Sequence, residues 1–184
     1  DRRFYEHFGI DVLGLASVAL ESVKAGEVTR GASTITQQVA KNFLLTNERT
    51  YERKIKEMLT ALRIESAYSK DKILELYLNE IYLGLGNFGV AAAALNFFGK
   101  SVHELALHEV AYLAALPKAP ENYNPFRNRD AAIARRNWVI DRMVANGYVK
   151  AADAATAKQQ PLGVAVRTLT PNSFAAGYFA EEVR

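Results

Sequence analysis

The sequence contains no cysteine. That excludes disulfide bonds, thiolate nucleophiles and cysteine-ligated zinc, and it fits an exported bacterial protein. Histidine is scarce as well, with three residues in 184. His7 stands alone, and His103 and His108 are read on one helix but lie five apart, one more than the spacing of a same-face ligand pair. No metal ligand set is readable. No apolar run approaches the roughly 20 residues of a membrane span, and no signal peptide is visible. Charge of one sign is also lacking: 23 Lys and Arg stand against 20 Asp and Glu, a formal +3. So mild an excess speaks neither for nor against nucleic acid. Repeats and low-complexity tracts are absent. The length suits one domain with a sizeable core, or one domain plus an extension. The chain begins abruptly at Asp1 in a charged, motif-like stretch and reads as a piece of something longer.

What is present is organised around Gly31-Ala32-Ser33-Thr34-Ile35-Thr36-Gln37-Gln38-Val39-Ala40-Lys41-Asn42. Thr34 and Gln37 have the spacing of a capping box and predict a helix start. Ile35, Val39 and Phe43 follow as an apolar stripe. Thr34, Gln37, Gln38 and Lys41 share the other face, close to a helix N-terminus that favours anions. Two readings stay open: an ordinary solvated polar face, or a site for a phosphorylated or sugar-bearing ligand.

Elsewhere the periodicity is helical. Ile10 to Leu20, with Leu13, Ala16 and Leu20 in step, reads as a buried helix, and Val23 to Arg30 as a loop. From Thr50 a helix places Ile55, Met58, Leu59 and Leu62 on its apolar stripe and Arg53, Lys54, Glu57, Ala61 and Glu65 opposite. Ser69 opens another helix, with Ile73, Leu74, Tyr77, Leu78 and Ile81 inward. Gly84, Gly86 and Gly89 interrupt before an alanine-rich segment from Val90. Ser101 and Glu104 form a second capping box, opening a helix that Pro117 stops. Arg135 to Asn146 is a helix stopped by Gly147, and Ala151 to Gln159 a short one. Beyond Pro161, Val164, Val166 and Leu169 suggest extended chain. The expected architecture is mainly α.

Two short matches fail. Ser69-Lys70-Asp71-Lys72 fits a Ser-x-x-Lys pattern but lacks its partner motifs, so Ser69 reads as a helix cap. Gly84-Leu85-Gly86-Asn87-Phe88-Gly89 has the wrong spacing for a dinucleotide loop, and no strand precedes it. Arg49, Arg53, Lys54 and Lys56 set four cations around Glu57, either a solvated face laced with ion pairs or, with Lys41, a diphosphate pocket.

Five blocks together resemble the peptidoglycan glycosyltransferases, the lysozyme-like module of class A penicillin-binding proteins and monofunctional wall polymerases. They are Asp1 to Gly9; Gly31 to Gln38 with Lys41-Asn42; Arg53-Lys54 with Glu57, Ala61 and Glu65; Ile73 through Asn79 and the glycines to Phe98-Gly99-Lys100; and Leu113 to Pro120 with Tyr123, trailed by Arg135-Arg136 and Arg142-Met143. The blocks span Asp1 to Met143. The tail from Tyr178 resembles the link into a transpeptidase module, which gives a division into a glycosyltransferase domain at 1–160 and a link at 161–184.

The resemblance implies a lysozyme-like fold, with a large helical lobe and a smaller mobile one flanking a substrate groove, and a mobile approach at Gly26 to Ser33. It implies polymerisation of lipid II into glycan strands, with inversion, by transfer from an undecaprenyl-diphosphate donor to a sugar 4-hydroxyl. Glu57 is then the second essential carboxylate and Lys54 its catalytic neighbour. Lys41, Arg49 and Arg53 neutralise phosphates. Ser33, Thr36, Gln37, Gln38, Asn42 and Asn79 serve the substrate, and Asp1 and His7 support a base. The family's general base is the Glu directly before the Asp of the first block, and this sequence starts one residue later, so the 184 residues alone are expected to be inactive. Magnesium or manganese near Glu57 is implied as an optional companion of the diphosphate, with no organic cofactor. The implied partners are the membrane surface, lipid II, the growing glycan and a transpeptidase domain, not nucleic acid. The implied location is the periplasmic face of the inner membrane. A glycan-cleaving lysozyme-like enzyme and a non-catalytic lipid II-binding module are the alternatives.

Overall fold

The computed structural model describes residues 1, 3–26, 31, 33–43 and 50–165. The described residues form eight α-helices, two 3-10 turns and one isolated bridge between Tyr82 and Phe88, with no sheet. The fold is mainly α, as the periodicity predicts. It divides into two compact units, Asp1–Ile81 and Tyr82–Arg184.

The first unit holds α1 (Val12–Ala25), α2 (Ile35–Phe43), α3 (Tyr51–Ala67) and α4 (Lys70–Glu80). Each start is chemically specified. Asp11 accepts the Gly14 N–H at 2.8 Å, Thr50 that of Arg53 at 3.2 Å, and Ser69 that of Lys72 at 3.3 Å. Thr34 and Gln37 form the expected reciprocal box: the Gln37 N–H donates to Thr34 Oγ1 at 3.1 Å, and the Thr34 N–H to Gln37 Oε1 at 2.8 Å. Such reciprocal bonds satisfy two helix donors that would otherwise lack partners. Helix α2 packs on α3 and α4. Phe4, Val39, Ala40, Ala61, Ile64 and Ile73 make the core between them.

Several expectations about these helices are overturned. Val23 to Ala25, read as loop, form the last turn of α1. Helix α1 is not buried: it has no buried residue and, among the described residues, packs on no other helix of its unit. On α3 the faces are exchanged. Glu57, Ala61 and Ile64 are its buried residues, while Ile55 and Leu59 are 58% and 53% exposed. The small Ala61 lets neighbouring backbone approach closely, and ion pairs cover Glu57, so the side with fewer apolar atoms faces inward. Gly9 is one such approach. A Cβ there would lie 3.1 Å from the Ala61 carbonyl oxygen, and its φ of +98° suits only glycine.

The second unit contains α5 (Val90–Phe98), α6 (Leu107–Ala115), α7 (Arg129–Ala145) and α8 (Ala151–Gln159). The Ser101–Glu104 box opens only a 3-10 turn, Val102–Glu104. Helix α6 starts later, where the Glu109 carboxylate accepts the Ala106 N–H at 2.8 Å. His103 and His108 therefore sit on different elements. Pro117 lies in a 3-10 turn, Leu116–Lys118, just beyond α6. Helix α7 begins six residues before the expected Arg135. Helix α6 packs on α7, and α7 on α8, around Ala111, Ile140, Ala154 and Ala157. Arg136, 1% exposed, donates to the carbonyls of Lys158, Gln160 and Pro161 at 3.1, 2.8 and 3.2 Å. A guanidinium thus closes the carbonyl end of α8, where a positive charge also complements the helix dipole. Residues 161–165 have no regular structure, and Val166, Leu169 and the Tyr178 tail lie outside the described residues, as does most of Gly26 to Ser33.

Candidate active site

The first unit gathers most of the sequence-selected polar residues into two neighbouring clusters. In the first, Glu57 is 3% exposed on α3. Its Oε1 accepts from Lys54 Nζ, and its Oε2 from Arg53 Nη1 at 3.3 Å. Lys54 Nζ also donates to Ser33 Oγ at 3.0 Å, joining the approach to α2 with α3. A buried carboxylate between two cations is stable because each side supplies the other's counter-charge. The cations keep a route to solvent: the Lys54 side chain is 40% exposed and that of Arg53 17%. Arg53 Nε is buried and has no hydrogen-bond partner among the described residues.

The second cluster ties the N-terminal block to α2, α3 and α4. His7, 6% exposed, accepts the Gly9 N–H on Nδ1 at 3.1 Å. That bond leaves the proton on Nε2, which faces Asp1 Oδ2 at 3.0 Å. Asp1 Oδ2 also accepts the Ile35 N–H at 3.0 Å, in the first turn of α2. Thr34 Oγ1 donates to the Gly9 carbonyl at 2.6 Å. Thr36 Oγ1 donates to Glu65 Oε1 at 2.6 Å, and Lys70 Nζ donates to that same oxygen at 2.7 Å and to the His7 carbonyl. Burial, and then the Lys70 charge, hold the His7 imidazole below its ordinary pKa, so the ring is neutral near pH 7.

These contacts redistribute the residues chosen from sequence. Asp1, His7, Ser33, Arg53, Lys54 and Glu57 come together in one unit. Thr36 and Gln37 are fully engaged inside the fold, at 0% and 3% exposure, so the polar face read along α2 is partly internal. Gln38 is half-buried, and Lys41 and Asn42 are exposed in the last turns of α2. Asn79 is exposed on α4, and no contact among the described residues joins it to Glu57. Arg49 lies outside the described residues. Sequence reasoning missed Lys70, hidden in a stretch read only as a helix start.

A resident divalent cation would need several oxygen ligands. Both Glu57 oxygens already face cations, and no set of three His, Asp or Glu ligands occurs among the described residues. The donor set at Glu57 does not suit a metal held by the protein alone.

Comparison with known proteins places this arrangement. The transglycosylase family model matches residues 1–144, and the chain belongs to that family. Penicillin-binding protein 1A of Aquifex aeolicus is 54% identical over 164 residues, covering 89% of this chain and 23% of that protein. The Escherichia coli penicillin-binding protein 1A is 47% identical over 184 residues, 100% of this chain and 22% of that protein. The crystal structure of penicillin-binding protein 1A from Haemophilus influenzae aligns with a TM-score of 0.51 at 33% identity, covering 82% of this chain and 19% of that one. The chain thus spans less than a quarter of the length of these relatives, and the family is the one its motifs resemble.

Proposed function

We propose that the first unit is the catalytic part of a peptidoglycan glycosyltransferase, which extends glycan strands from lipid II. The observation that carries this reading is buried Glu57 bracketed by Lys54 and Arg53, beside Ser33 at the mouth of α2. In the reaction, the acceptor's 4-hydroxyl oxygen forms a bond to the donor's C1 while its proton passes to a carboxylate base. The C1–O bond to the diphosphate breaks, and undecaprenyl diphosphate leaves with the electron pair. Negative charge builds on the leaving diphosphate, and fixed cations lower the barrier by stabilising that charge. Lys54 and Arg53 supply that stabilisation, and Lys41 and Arg49 are the further phosphate-neutralising cations that the family motifs imply. Glu57 holds the two α3 cations in place without neutralising both. A magnesium or manganese ion is proposed only as a companion of the diphosphate, because both Glu57 oxygens are engaged by cations.

The lipid tail of such a substrate stays in a bilayer, and α1 offers a surface for meeting one. No helix among the described residues is long and apolar enough to cross a membrane. Val12, Leu13, Ala16, Leu20 and Val23 nevertheless lie within about 100° of one another on α1, and Leu13 and Leu20 are each 65% exposed. We place α1 against the periplasmic face of the membrane. Leu13→Glu with Leu20→Glu should weaken co-sedimentation with lipid vesicles at least about tenfold, since each leucine removes several buried methylene groups. Unchanged co-sedimentation would remove α1 from the membrane contact.

The function itself is tested by supplying lipid II and, separately, preformed glycan. Polymer from lipid II supports glycosyl transfer. Glycan breakdown would instead identify a lysozyme-like hydrolase, and binding without turnover a non-catalytic module. In the relatives the chain continues well beyond the matched region, and a transpeptidase domain acting on the polymer is the partner proposed there.

A further inference from the structure

We propose that Lys70 is a positioning residue for glycosyl transfer, which holds the Asp1–His7 pair against the start of α2 without touching substrate. This rests on the reading of the first unit as the transferring site. Lys70 opens α4, and its ammonium meets three partners at once. It donates to the His7 carbonyl and, at 2.7 Å, to Glu65 Oε1 on α3, and it lies 4.7 Å from the centroid of the Phe4 ring. Its side chain is 20% exposed and that of Glu65 8%. This is not a loose surface pair of small consequence: the ammonium is bonded to backbone and covered by an aromatic face. Glu65 Oε1 takes the Thr36 hydroxyl as well, so α2 and α4 are fastened to one oxygen.

The chain of contacts runs from Lys70 to the place where the reaction would begin. With its carbonyl clamped, His7 is fixed at the backbone. Gly9 fixes one ring nitrogen, and the other faces Asp1, whose carboxylate reaches the Ile35 N–H. Lys70 also acts through charge. The groups facing the imidazole are Lys70 and Arg3, which disfavour its protonation, and Asp11 and Glu65, which favour it. Asp1 adds a third carboxylate at Nε2. Removing the Lys70 charge leaves Arg3 alone against three carboxylates, so the ring takes up a proton more readily. Once protonated, Nδ1 cannot accept the Gly9 N–H, and the ring loses one of the two contacts that orient it. Lys70, Glu65 and His7 also line an open hollow of about 400 Å³ with Phe8 and Leu62, so water reaches this network.

The test pairs a structural readout with a kinetic one. Nitrogen-resolved NMR of His7 is recorded on the 184-residue chain, unsubstituted and as Lys70→Met and Lys70→Arg. Polymerisation of lipid II is followed from about pH 5 to 8, the range in which histidines titrate, using the chain extended by a Glu before Asp1. The unsubstituted His7 should carry its proton on Nε2 and titrate below the ordinary imidazole value. Lys70→Met should raise that titration, move the acid limb of kcat upward with it, and lower kcat about tenfold with KM within about twofold, as for a misplaced reacting group. Lys70→Arg should restore all three. An Nδ1–H tautomer in the unsubstituted chain would overturn the proposal even if Lys70→Met failed to fold. So would a His7 titration and a kcat that Lys70→Met leaves unmoved. No polymer from the unsubstituted extended chain, with the His7 shift intact, would overturn the reading of the site and leave the clamp standing.

Discussion

Glu57→Gln should reduce polymerisation of lipid II by about a hundredfold or more, the cost of disturbing transition-state charge stabilisation, and should also destabilise the fold. The acid lies on the buried face of α3, with one oxygen facing Lys54 and the other Arg53. A glutamine amide would turn its NH2 group toward one of these cations, opposing donor to donor, and would leave both positive charges without their counter-charge. Loss of about 1–3 kcal/mol is expected, toward the lower end because the Lys54 side chain is 40% exposed. The periodicity, which sets Glu57 opposite the apolar stripe of its helix, would instead leave the fold unaffected by its loss. Lys54→Ala should keep stability within about 1 kcal/mol and still lower polymerisation by about a hundredfold. Urea unfolding and gel analysis of glycan length separate the two effects. Near-normal polymer from Lys54→Ala would mean that the cluster is a structural ion-pair network and not a diphosphate site.

A glutamate placed directly before Asp1 should support glycan synthesis about 10²- to 10⁴-fold better than a glutamine there, the usual contribution of a positioned general base. The geometry gives that residue a fixed starting point. Asp1 is held by the His7 ring and by the first turn of α2, so a side chain one residue earlier would project from an anchored backbone and not from a fraying end. Glu57 is poorly suited to replace it, since both its oxygens are turned toward cations. Lipid II in detergent or bilayer, with chromatographic measurement of glycan length, provides the comparison. Equal polymer from the two extended forms would place the base elsewhere in the chain.

Local chemistry was the legible part of this fold. Thr34 with Gln37, Thr50 and Ser69 cap the helices they were expected to open, and Ala151 to Gln159 is helical with those bounds. Which side of a helix faces inward was less legible. Apolar periodicity assigns Ile55 and Leu59 to the interior, because hydropathy ranks Glu57 as an exterior residue. It cannot register that two cations cover the carboxylate or that Ala61 admits close packing. The same ranking buried α1 and turned Gln37 outward. Of the site, the blocks supplied Asp1, His7, Arg53, Lys54 and Glu57. The role of Lys70 was not legible, because it depends on a backbone carbonyl 63 residues away, and no local pattern encodes such a contact.

The isolation of α1 has a consequence for how the protein unfolds. Its 14 residues carry a cap at each end, the Asp11 carboxylate and Gly26 in the left-handed conformation, and among the described residues no helix of its unit packs against them. A helix of that length is marginal on its own. Its hydrogen bonds therefore open in a local equilibrium that is separate from the cooperative unfolding of the α2–α4 core. Strengthening the core would not slow amide exchange in α1, and loosening the core would not hasten it.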